Sequence, residues 1–282
     1  MFIKDNRSVK VKVLDSIFNG LCRSDYLKSK LKIIADRALK AHDKFKFSYD
    51  TRENGEYEFI EQVAKLYGSS DFIFFDVGAH HGTYTQLILN FVSSYEGHLF
   101  EPTPTSFSKL NERFNSDNKL ILNNLALSNF NGNTDLIIYP DDPTRNGLTG
   151  VGKEINFTSK IEKCDVLKGD DYSKKKSIER INLLKIDAEG HDFNVLQGFS
   201  EYISRGLVDV IQFEYTFKHA DMRITLRDYY EFFMDNSYSI GPLRKGGVDF
   251  YEDFDARYNE YHFGPNYVAA HKNVVNDFFS FT

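Results

Sequence analysis

The sequence predicts a doubly wound α/β fold, in which helices cover both faces of a mostly parallel sheet. Short apolar runs, typical of buried parallel strands, alternate with segments whose apolar residues recur at helical spacing. A strand, a glycine turn and a helix follow one another directly within residues 72–91. Because the ends of parallel strands meet at one edge of a sheet, acids that end four of the apolar runs are expected in one crevice. These acids are Asp76, Glu101, Asp187 and Glu214.

Residues 1–56 are predicted to form a helical N-terminal extension, and residues 57–282 the main domain. The apolar residues that recur at helical spacing in the extension are Leu27, Leu31, Ile34 and Ala38. Lysines and an arginine cluster around them. We interpret these basic residues as a solvated outer face, with a basic surface for an anionic partner as the alternative.

The stretch FIFFDVGAHHGTY at 72–84 has the features of a ligand-binding turn. Glycines at the carboxyl edge of a strand allow positive φ and let a ligand approach the backbone closely. The spacing Gly78-x-x-x-Gly82 differs from the G-x-G-x-x-G of dinucleotide-binding turns. Asp76 is unfavourable beside a phosphate, so a cationic or hydroxyl-bearing ligand suits the turn better. A purely structural turn is the alternative.

The later elements continue the alternation. Core strands are predicted at 97–101, 120–128, 181–187 and 208–214, and helices at 106–114, 191–203 and 226–233. The run 134–139 is predicted to be a strand antiparallel to the one before it. Residues 140–180 are predicted to be mostly loop, with one strand within 154–166. Residues 237–240 and 266–270 are predicted to form a closing strand pair.

Composition sets the limits on the class of protein. The chain has 282 residues, a net charge of −6 and two cysteines, Cys22 and Cys164. This charge gives no signal for nucleic acid, and the cysteines lack the spacing of metal ligands. No apolar run is long enough to span a bilayer, and the N-terminus lacks the apolar core of a signal peptide. We therefore expect a soluble, cytoplasmic protein, whose oligomeric state the sequence leaves open.

Two groups of residues are suited to chemistry. Glu101, at the end of the second strand, is placed to accept hydrogen bonds from the two ribose hydroxyls of an adenosine cofactor. The segment LKIDAEGHD at 184–192 gathers two carboxylates, an imidazole and an ammonium around one strand end, a density that usually perturbs pKa values. A carboxylate or histidine there can accept a proton from a hydroxyl nucleophile. The alternative is that Asp187 caps a helix and the other side chains face water.

Four segments together resemble the FkbM family of S-adenosylmethionine-dependent methyltransferases. They are FDVGAHHGTY (75–84), FEPTP (100–104), NLALS (124–128) and LKIDAEGH (184–191). The resemblance covers roughly residues 57–217. It implies a Rossmann-like class I methyltransferase sheet with an antiparallel strand near the C-terminus. It also implies methyl transfer from S-adenosylmethionine to a hydroxyl of a small metabolite or carbohydrate, without a nucleic-acid partner.

The resemblance also assigns roles by position. The residues expected at the cofactor are Asp76, Gly78, His80, Gly82, Thr83, Glu101, Asn124, Ala126, Leu127 and Asp187. Glu101 would hold the ribose, and Asp187 would lie beside the amino acid moiety or the sulfonium. The family usually has asparagine where this chain has His80.

The candidate general bases are Glu189, His191 and Glu214. A divalent metal held by Asp187, Glu189 and Glu214 is the less favoured alternative way to lower the pKa of the hydroxyl. Three other functions stay open: an N-methyltransferase, a nucleotide-dependent oxidoreductase, and a non-catalytic binding domain with a methyltransferase fold. The oxidoreductase is disfavoured because the third glycine of the dinucleotide fingerprint is missing.

The segment 243–265 is rich in aromatic residues and glycine. Its aromatic residues are Phe250, Tyr251, Phe254, Tyr258, Tyr261 and Phe263. They are predicted either to form a lid that contacts the acceptor or to pack the last helix onto the sheet.

Overall fold

The computed structural model describes residues 50–68, 70–150, 158–251, 253–256 and 263–278, and twelve residues between 16 and 34. The chain divides into two compact units, Met1–Lys46 and Phe47–Thr282. In the first unit the described residues are mostly helical, including Leu27, Leu31 and Ile34 of the predicted stripe. Ala38 lies outside the described residues. No helix in the described part of the chain is long and apolar enough to cross a membrane.

The second unit alternates strands and helices along most of its length. Its strands are β1 (Phe72–Val77), β2 (Tyr95–Phe100), β3 (Leu120–Asn123), β4 (Ala126–Ser128), β5 (Gly132–Ile138), β6 (Gly147–Leu148), β7 (Lys160–Lys168), β8 (Ile181–Ile186), β9 (Val208–Thr216), β10 (Tyr238–Arg244), β11 (Gly247–Val248) and β12 (Phe263–His271). Its helices are α1 (Thr51–Asn54), α2 (Glu56–Tyr67), α3 (Thr83–Leu89), α4 (Pro104–Phe114), α5 (Gly169–Lys175), α6 (Asp192–Gly198), α7 (Ser200–Ser204), α8 (Lys218–Asp221), α9 (Leu226–Asp235) and α10 (Lys272–Phe278).

The main sheet confirms the predicted doubly wound fold. Within the described residues it has eight strands in the order β11-β10-β12-β9-β8-β1-β2-β3. Five neighbouring strands of this sheet, β9, β8, β1, β2 and β3, run parallel. The strand β12 lies between β9 and β10 and is antiparallel to both. The predicted closing pair is therefore β10 and β12. The strand order reverses beside β1, so the crevice at the carboxyl ends of β1 and β8 is the expected ligand site.

Side chains of the central strands alternate between two cores, one on each face of the sheet. In β1, Phe72 and Phe74 pack with helices α2, α3 and α4, whereas Phe75 and Val77 face the core formed with α5, α6, α7 and α9. This alternation follows from the two-residue period of a strand. Because both faces are covered, β8 is apolar and buried along almost its whole length.

A second sheet corrects three predictions for residues 120–180. The predicted third strand is two strands, β3 in the main sheet and β4 in a four-stranded sheet of order β4-β7-β5-β6. The run at 134–139 does form a strand, β5, but its antiparallel partners are β6 and β7. The strand predicted within 154–166 is β7, which begins at Lys160 and ends beyond that range, at Lys168. The segment is thus a small sheet instead of a loop.

Candidate active site

The glycine turn after β1 is shaped by contact with the chain that follows β8. Gly78 has a φ of 76°, and a Cβ at this position would lie 1.9 Å from the carbonyl oxygen of Asp187. Gly82 also has a φ of 76°, and a Cβ there would lie 2.2 Å from the ring of Phe114 in α4. Both positions therefore need glycine for conformation and for space. Thr83, the first residue of α3, is exposed.

Glu101 is held just past the end of β2 by two backbone amides. Its Oε2 accepts the His80 N–H at 2.9 Å, and its Oε1 accepts the Thr103 N–H at 2.8 Å. Burial raises the pKa of this carboxyl. The Asn124 side chain donates to the backbone carbonyl of Glu101 at 2.8 Å and so fixes the turn from the other side. Each carboxylate oxygen keeps a lone pair for a further donor.

His80 lies within the glycine turn, between Gly78 and Gly82, in a left-handed conformation with a φ of 49°. Its ring stacks on that of His81 at 3.6 Å between centroids. The Nε2 atom is buried without a hydrogen-bond partner among the described residues. Burial, followed by the charge of His81, lowers the pKa of His80 to about 4. The neutral ring thus offers a polar atom to a ligand.

A buried lysine links the two acids closest to the turn. The Lys185 ammonium lies 3.4 Å from Asp76 Oδ1 and 3.3 Å from Asp187 Oδ2. Burial opposes its charge, but the carboxylates of Asp187 and Asp76 hold the pKa of Lys185 above its ordinary value. The other oxygen of Asp76 accepts the Thr85 hydroxyl at 2.6 Å. The sequence analysis assigned no specific role to Lys185 or Thr85. Their positions in the chain, with Lys185 two residues before Asp187 and Thr85 three residues after Gly82, could have indicated that they lie near the site.

The structure brings Glu189 and Glu214 together on the other side of Asp187. Glu189 Oε2 pairs with the Lys218 ammonium, which comes from α8. Burial, followed by the charge of Asp187, raises the pKa of Glu189 to about 7. Burial, followed by the charges of Asp187, Asp192 and Glu189, raises the pKa of Glu214 well above its ordinary value. Two carboxyls with perturbed pKa values in one crevice are typical of a catalytic site.

His191 is close to these acids but its ring is engaged elsewhere. Its Nε2 lies 3.1 Å from the carbonyl oxygen of Leu148 in β6, and burial lowers its pKa. The strand β6 passes close to the acids, because a Cβ at Gly147 would lie 3.3 Å from the Cβ of Glu189. The ring of His191 therefore ties the second sheet to the edge of the crevice.

The remaining predicted residues are placed as follows. The side chains of Ala126 and Leu127, in β4, are buried in separate apolar clusters. Among the residues that the structure describes, no group of three histidine, cysteine or acidic side chains is arranged to hold a metal ion. The geometry thus adds no support to a metal held by Asp187, Glu189 and Glu214.

In the segment 243–265, the described aromatic residues contribute to packing. Phe254 contacts Tyr230 of α9 with ring centroids 5.4 Å apart, and Tyr251 pairs with Ile240 of β10. Tyr258 and Tyr261 lie outside the described residues. The contacts that are described favour the packing interpretation over a lid.

Comparison with known proteins identifies the family. Residues 76–238, more than half of the chain, match the methyltransferase FkbM domain. The chain belongs to the FkbM methyltransferase family. The predicted family is therefore confirmed. The match begins at Asp76 in β1 and includes every predicted site residue.

One curated relative of this FkbM chain is the hexuronic acid methyltransferase AglP of Haloferax volcanii. It is 29% identical over 133 residues, which are 46% of this chain and 51% of that protein. The match thus spans about half the length of that relative. Similar solved structures include a precorrin-6y C5,15-methyltransferase from Geobacter metallireducens, with 12% identity, a TM-score of 0.40, and coverage of 75% of this chain and 85% of that chain. Another is an S-adenosylmethionine-dependent methyltransferase from Agrobacterium tumefaciens, with 6% identity, a TM-score of 0.41, and coverage of 76% and 60%.

The residues at the carboxyl ends of β1 and β2 fit the cofactor of this family. Gly78 and Gly82 give the turn its positive φ angles and let it pack directly against the Asp187 carbonyl and the Phe114 ring. The buried Nε2 of His80 has no hydrogen-bond partner among the described residues. Glu101 keeps lone pairs for hydroxyl donors, and Asp76 and Asp187 supply negative charge. A ligand with a diol, polar amino acid groups and a positive charge suits this combination.

Proposed function

We propose that this FkbM-family methyltransferase transfers a methyl group to a hydroxyl oxygen of a carbohydrate or other small metabolite. The observation that carries the proposal is the position of Glu189 and Glu214 beside Asp187, at the strand ends next to the glycine turn. Oxygen nucleophiles need a group that accepts their proton as the new bond forms. A carboxyl with a pKa of about 7, such as that of Glu189, suits this task at neutral pH.

On the cofactor side, the proposal assigns the ribose to Glu101 and the amino acid moiety to the turn 78–82, with His80 Nε2 as a polar contact. Asn124 and the buried strand residues Ala126 and Leu127 would shape the adenine side through their backbone and the loop before β4. S-adenosylmethionine, when bound, supplies the electrophilic methyl carbon and one positive charge. Asp76 and Asp187 favour that charge, and the Lys185 ammonium lies close to both carboxylates.

On the acceptor side, Glu189 is the proposed base. Its Oε2 is occupied by Lys218, so Oε1 is the atom that would take the hydroxyl proton. As that proton leaves, the acceptor oxygen forms a bond to the methyl carbon, and the carbon–sulfur bond breaks with its electron pair going to sulfur. Burial and the neighbouring acids raise the pKa of Glu214 well above its ordinary value and so favour its protonated form, which would donate a hydrogen bond to the acceptor. His191 would position β6 and is not the proposed base.

For the acceptor, we propose a sugar, with a uronic acid as the first compound to test. Support comes from the curated relative, which is named as a hexuronic acid methyltransferase. Lys218, whose side chain is mostly buried beside Glu189, would supply a positive charge near such an acceptor. The proposed location of the acceptor site is therefore bounded by Glu189, Glu214 and β6.

The decisive experiment combines cofactor binding with an acceptor screen. Calorimetry should show binding of S-adenosylhomocysteine and none of NAD. Labelled S-adenosylmethionine should then be incubated with aryl glucuronides, the matched aryl glucosides, polyketide alcohols and amines, with and without a chelator. We expect label on an oxygen of a glucuronide or glucoside, identified by NMR of the product. Label on nitrogen only would replace the proposal by N-methylation.

The matched variant for this experiment is Glu101→Ala. It removes the proposed ribose ligand without touching the acids of the acceptor side. We expect the affinity for S-adenosylhomocysteine to fall by about tenfold or more, because a carboxylate–hydroxyl hydrogen bond contributes roughly 1.5–3 kcal/mol. Wild-type affinity in this variant would overturn the cofactor assignment.

A further inference from the structure

Behind the acids of the acceptor side lies a buried polar group that the proposed function does not use. It consists of Asp192, His219 and Tyr229, and all three side chains are fully buried. Asp192 is the first residue of α6, His219 lies in α8, and Tyr229 lies in α9. A buried carboxyl without a strong ion pair is unfavourable unless it has a structural or functional role.

The carboxyl of Asp192 connects the two segments that carry the candidate acids. Its Oδ2 accepts the N–H of Gly190 at 3.3 Å, and its Oδ1 accepts the N–H of Glu214 at 3.3 Å. Gly190 directly follows Glu189. One side chain therefore holds the backbone at both Glu189 and Glu214.

The turn that carries Glu189 needs such support. Glu189 has a φ of 53°, a left-handed conformation that residues with a Cβ rarely adopt. Gly190, with a φ of 98°, continues the turn. If the N–H of Gly190 were released, the backbone at Glu189 would be free to relax toward an ordinary conformation.

Asp192 is itself held in place by the elements around it. His219 Nε2 lies 4.0 Å from Asp192 Oδ2 and 2.8 Å from the Tyr229 hydroxyl. His219 Nδ1 lies 3.1 Å from the N–H nitrogen of Thr216, at the end of β9. The Tyr229 ring stacks on Phe213 of β9, with centroids 4.5 Å apart. The carboxyl is thus fixed to the same strand that presents Glu214.

We propose that Asp192 is a positioning residue, which fixes Glu189 and Glu214 relative to each other in the crevice. Its effect on catalysis rests on the proposed function, whereas its effect on the backbone does not. Asp192 would not contact the substrate or the cofactor.

The test compares Asp192→Asn with Asp170→Asn in the full chain. Asp170 is a suitable control because it is also buried and also accepts two backbone N–H groups, from Glu201 at 2.9 Å and Tyr202 at 3.0 Å, on helix α7. Asparagine keeps the shape of the side chain but places an NH2 group where one oxygen was. Asp192→Ser is a second variant in case the first is too unstable.

Two readouts separate positioning from general stability. Amide hydrogen exchange at Gly190 and Glu214 should be about tenfold faster in the Asp192 variants and unchanged in Asp170→Asn. With an aryl glucuronide as the acceptor, kcat should fall about tenfold or more while KM for S-adenosylmethionine stays within about twofold. A crystal structure of Asp192→Asn should show a changed φ at Glu189.

Wild-type exchange rates at both amides together with an unchanged φ at Glu189 would overturn the proposal, and so would an unchanged kcat. Equal losses of kcat in Asp192→Asn and Asp170→Asn would reduce Asp192 to a structural residue. If the wild-type protein transfers no methyl group to any acceptor, the proposed function fails, while the exchange rates still decide whether Asp192 holds the two segments.

Discussion

At the scale of single residues, one buried cation joins the two halves of the crevice. Lys185 extends from β8 between Asp76, on the cofactor side, and Asp187, which precedes the candidate base. Its ammonium also lies 3.4 Å from the carbonyl oxygen of Gly78. Removing such a partner leaves uncompensated buried charge, which is strongly destabilising. The electrostatics of the site therefore depend on a residue that would contact neither ligand.

Replacing Gly78 by alanine is expected to weaken cofactor binding. The new Cβ would lie 1.9 Å from the Asp187 carbonyl oxygen, so the turn and the end of β8 must move apart. Calorimetry with S-adenosylhomocysteine should show a loss of affinity of about tenfold or more, since a displacement of about 1 Å is enough to disrupt a precise site.

Gly68→Ala is the matched control for this prediction. Gly68 also has a positive φ, 58°, but a Cβ there has nothing within 4 Å. The control should cost about 1–2 kcal/mol in the free energy of unfolding and leave cofactor affinity unchanged. Similar affinities for Gly78→Ala and the wild type would show that the turn is not part of the site.

Methyl transfer is expected to depend on pH through Glu189. A base acts in its ionised form, so kcat/KM should rise with pH, reach half of its limit near pH 7, the pKa of this carboxyl in the ligand-free protein, and level off above that pH. Glu189→Gln should remove this rising limb of the pH–rate profile and lower kcat by about 10²–10⁴-fold. Rate profiles from pH 5 to 9 provide the measurement.

Glu201→Gln is the control for the base assignment. Glu201 pairs with Lys174 on the surface, as Glu189 pairs with Lys218 in the crevice, and its pKa is lowered by that pairing. The variant should keep the wild-type profile. If the limb survives in Glu189→Gln, the proton acceptor is another group.

At the scale of secondary structure, the carboxyl ends of the strands place most of the predicted site residues together. The order of acids along the chain was enough to predict this, because parallel strands bring their ends to one edge. The role of β6 was not predictable, since a two-residue strand has no periodicity and the segment 140–150 has the composition of a loop. The hydrogen bond between His191 and the Leu148 carbonyl depends on this strand, so no sequence pattern separates His191 from the candidate acids.

Removing the ring nitrogens of His191 is expected to loosen β6 and leave the pH profile intact. In His191→Phe the carbonyl of Leu148 loses its buried partner, which should cost about 1–3 kcal/mol in the free energy of unfolding. Hydrogen exchange of peptides that cover 146–150 should increase, and kcat should fall several-fold. Loss of the limb near pH 7 would instead identify His191 as the base.

At the scale of the whole molecule, the second unit combines a covered sheet with an acid-rich crevice. The doubly wound order, the parallel strands and the closing pair were predictable because buried runs and amphipathic helices have distinct periods. The four-stranded sheet was not, because its strands pair across gaps in the sequence and expose one face. Its β7 alternates exposed and buried residues only over residues 163–166, and the apolar Ile161 is exposed, so the apolar pattern of the strand is incomplete. Two other expectations from the sequence, a cytoplasmic location and a domain boundary between residues 56 and 57, stay predictions.

The stability of the ligand-free protein is expected to fall between pH 6.5 and 8. Burial, the leading cause in both cases, raises the pKa of Glu189 and of Asp192 to about 7, so the folded state retains protons that the unfolded state releases. That contribution is lost as pH rises through 7. Buried histidines with lowered pKa values, such as His80, act in the opposite direction, but their effect is complete above about pH 6.5.

Urea unfolding at pH 6.5 and pH 8 is the measurement for this prediction. We expect the free energy of unfolding to decrease by about 1–2 kcal/mol over this interval. The double variant Glu189→Gln with Asp192→Asn should show a smaller decrease, because the raised pKa of Glu214 still acts in the same direction. Constant or rising stability in the wild type would mean that these two carboxyls ionise in the folded state as they do in water.

The parallel pairing of β4 with β7 has a consequence for how this enzyme can diversify. Ser128 and Lys168 lie side by side, so the chain leaves the main domain and returns to it at almost the same place. An insertion whose two ends are adjacent can change length at little entropic cost to the rest of the fold. We therefore expect that residues 129–167 can be replaced by a different segment without disrupting the main sheet. Exchanging these residues would alter the wall of the acceptor site and leave the strands that carry the cofactor residues unchanged.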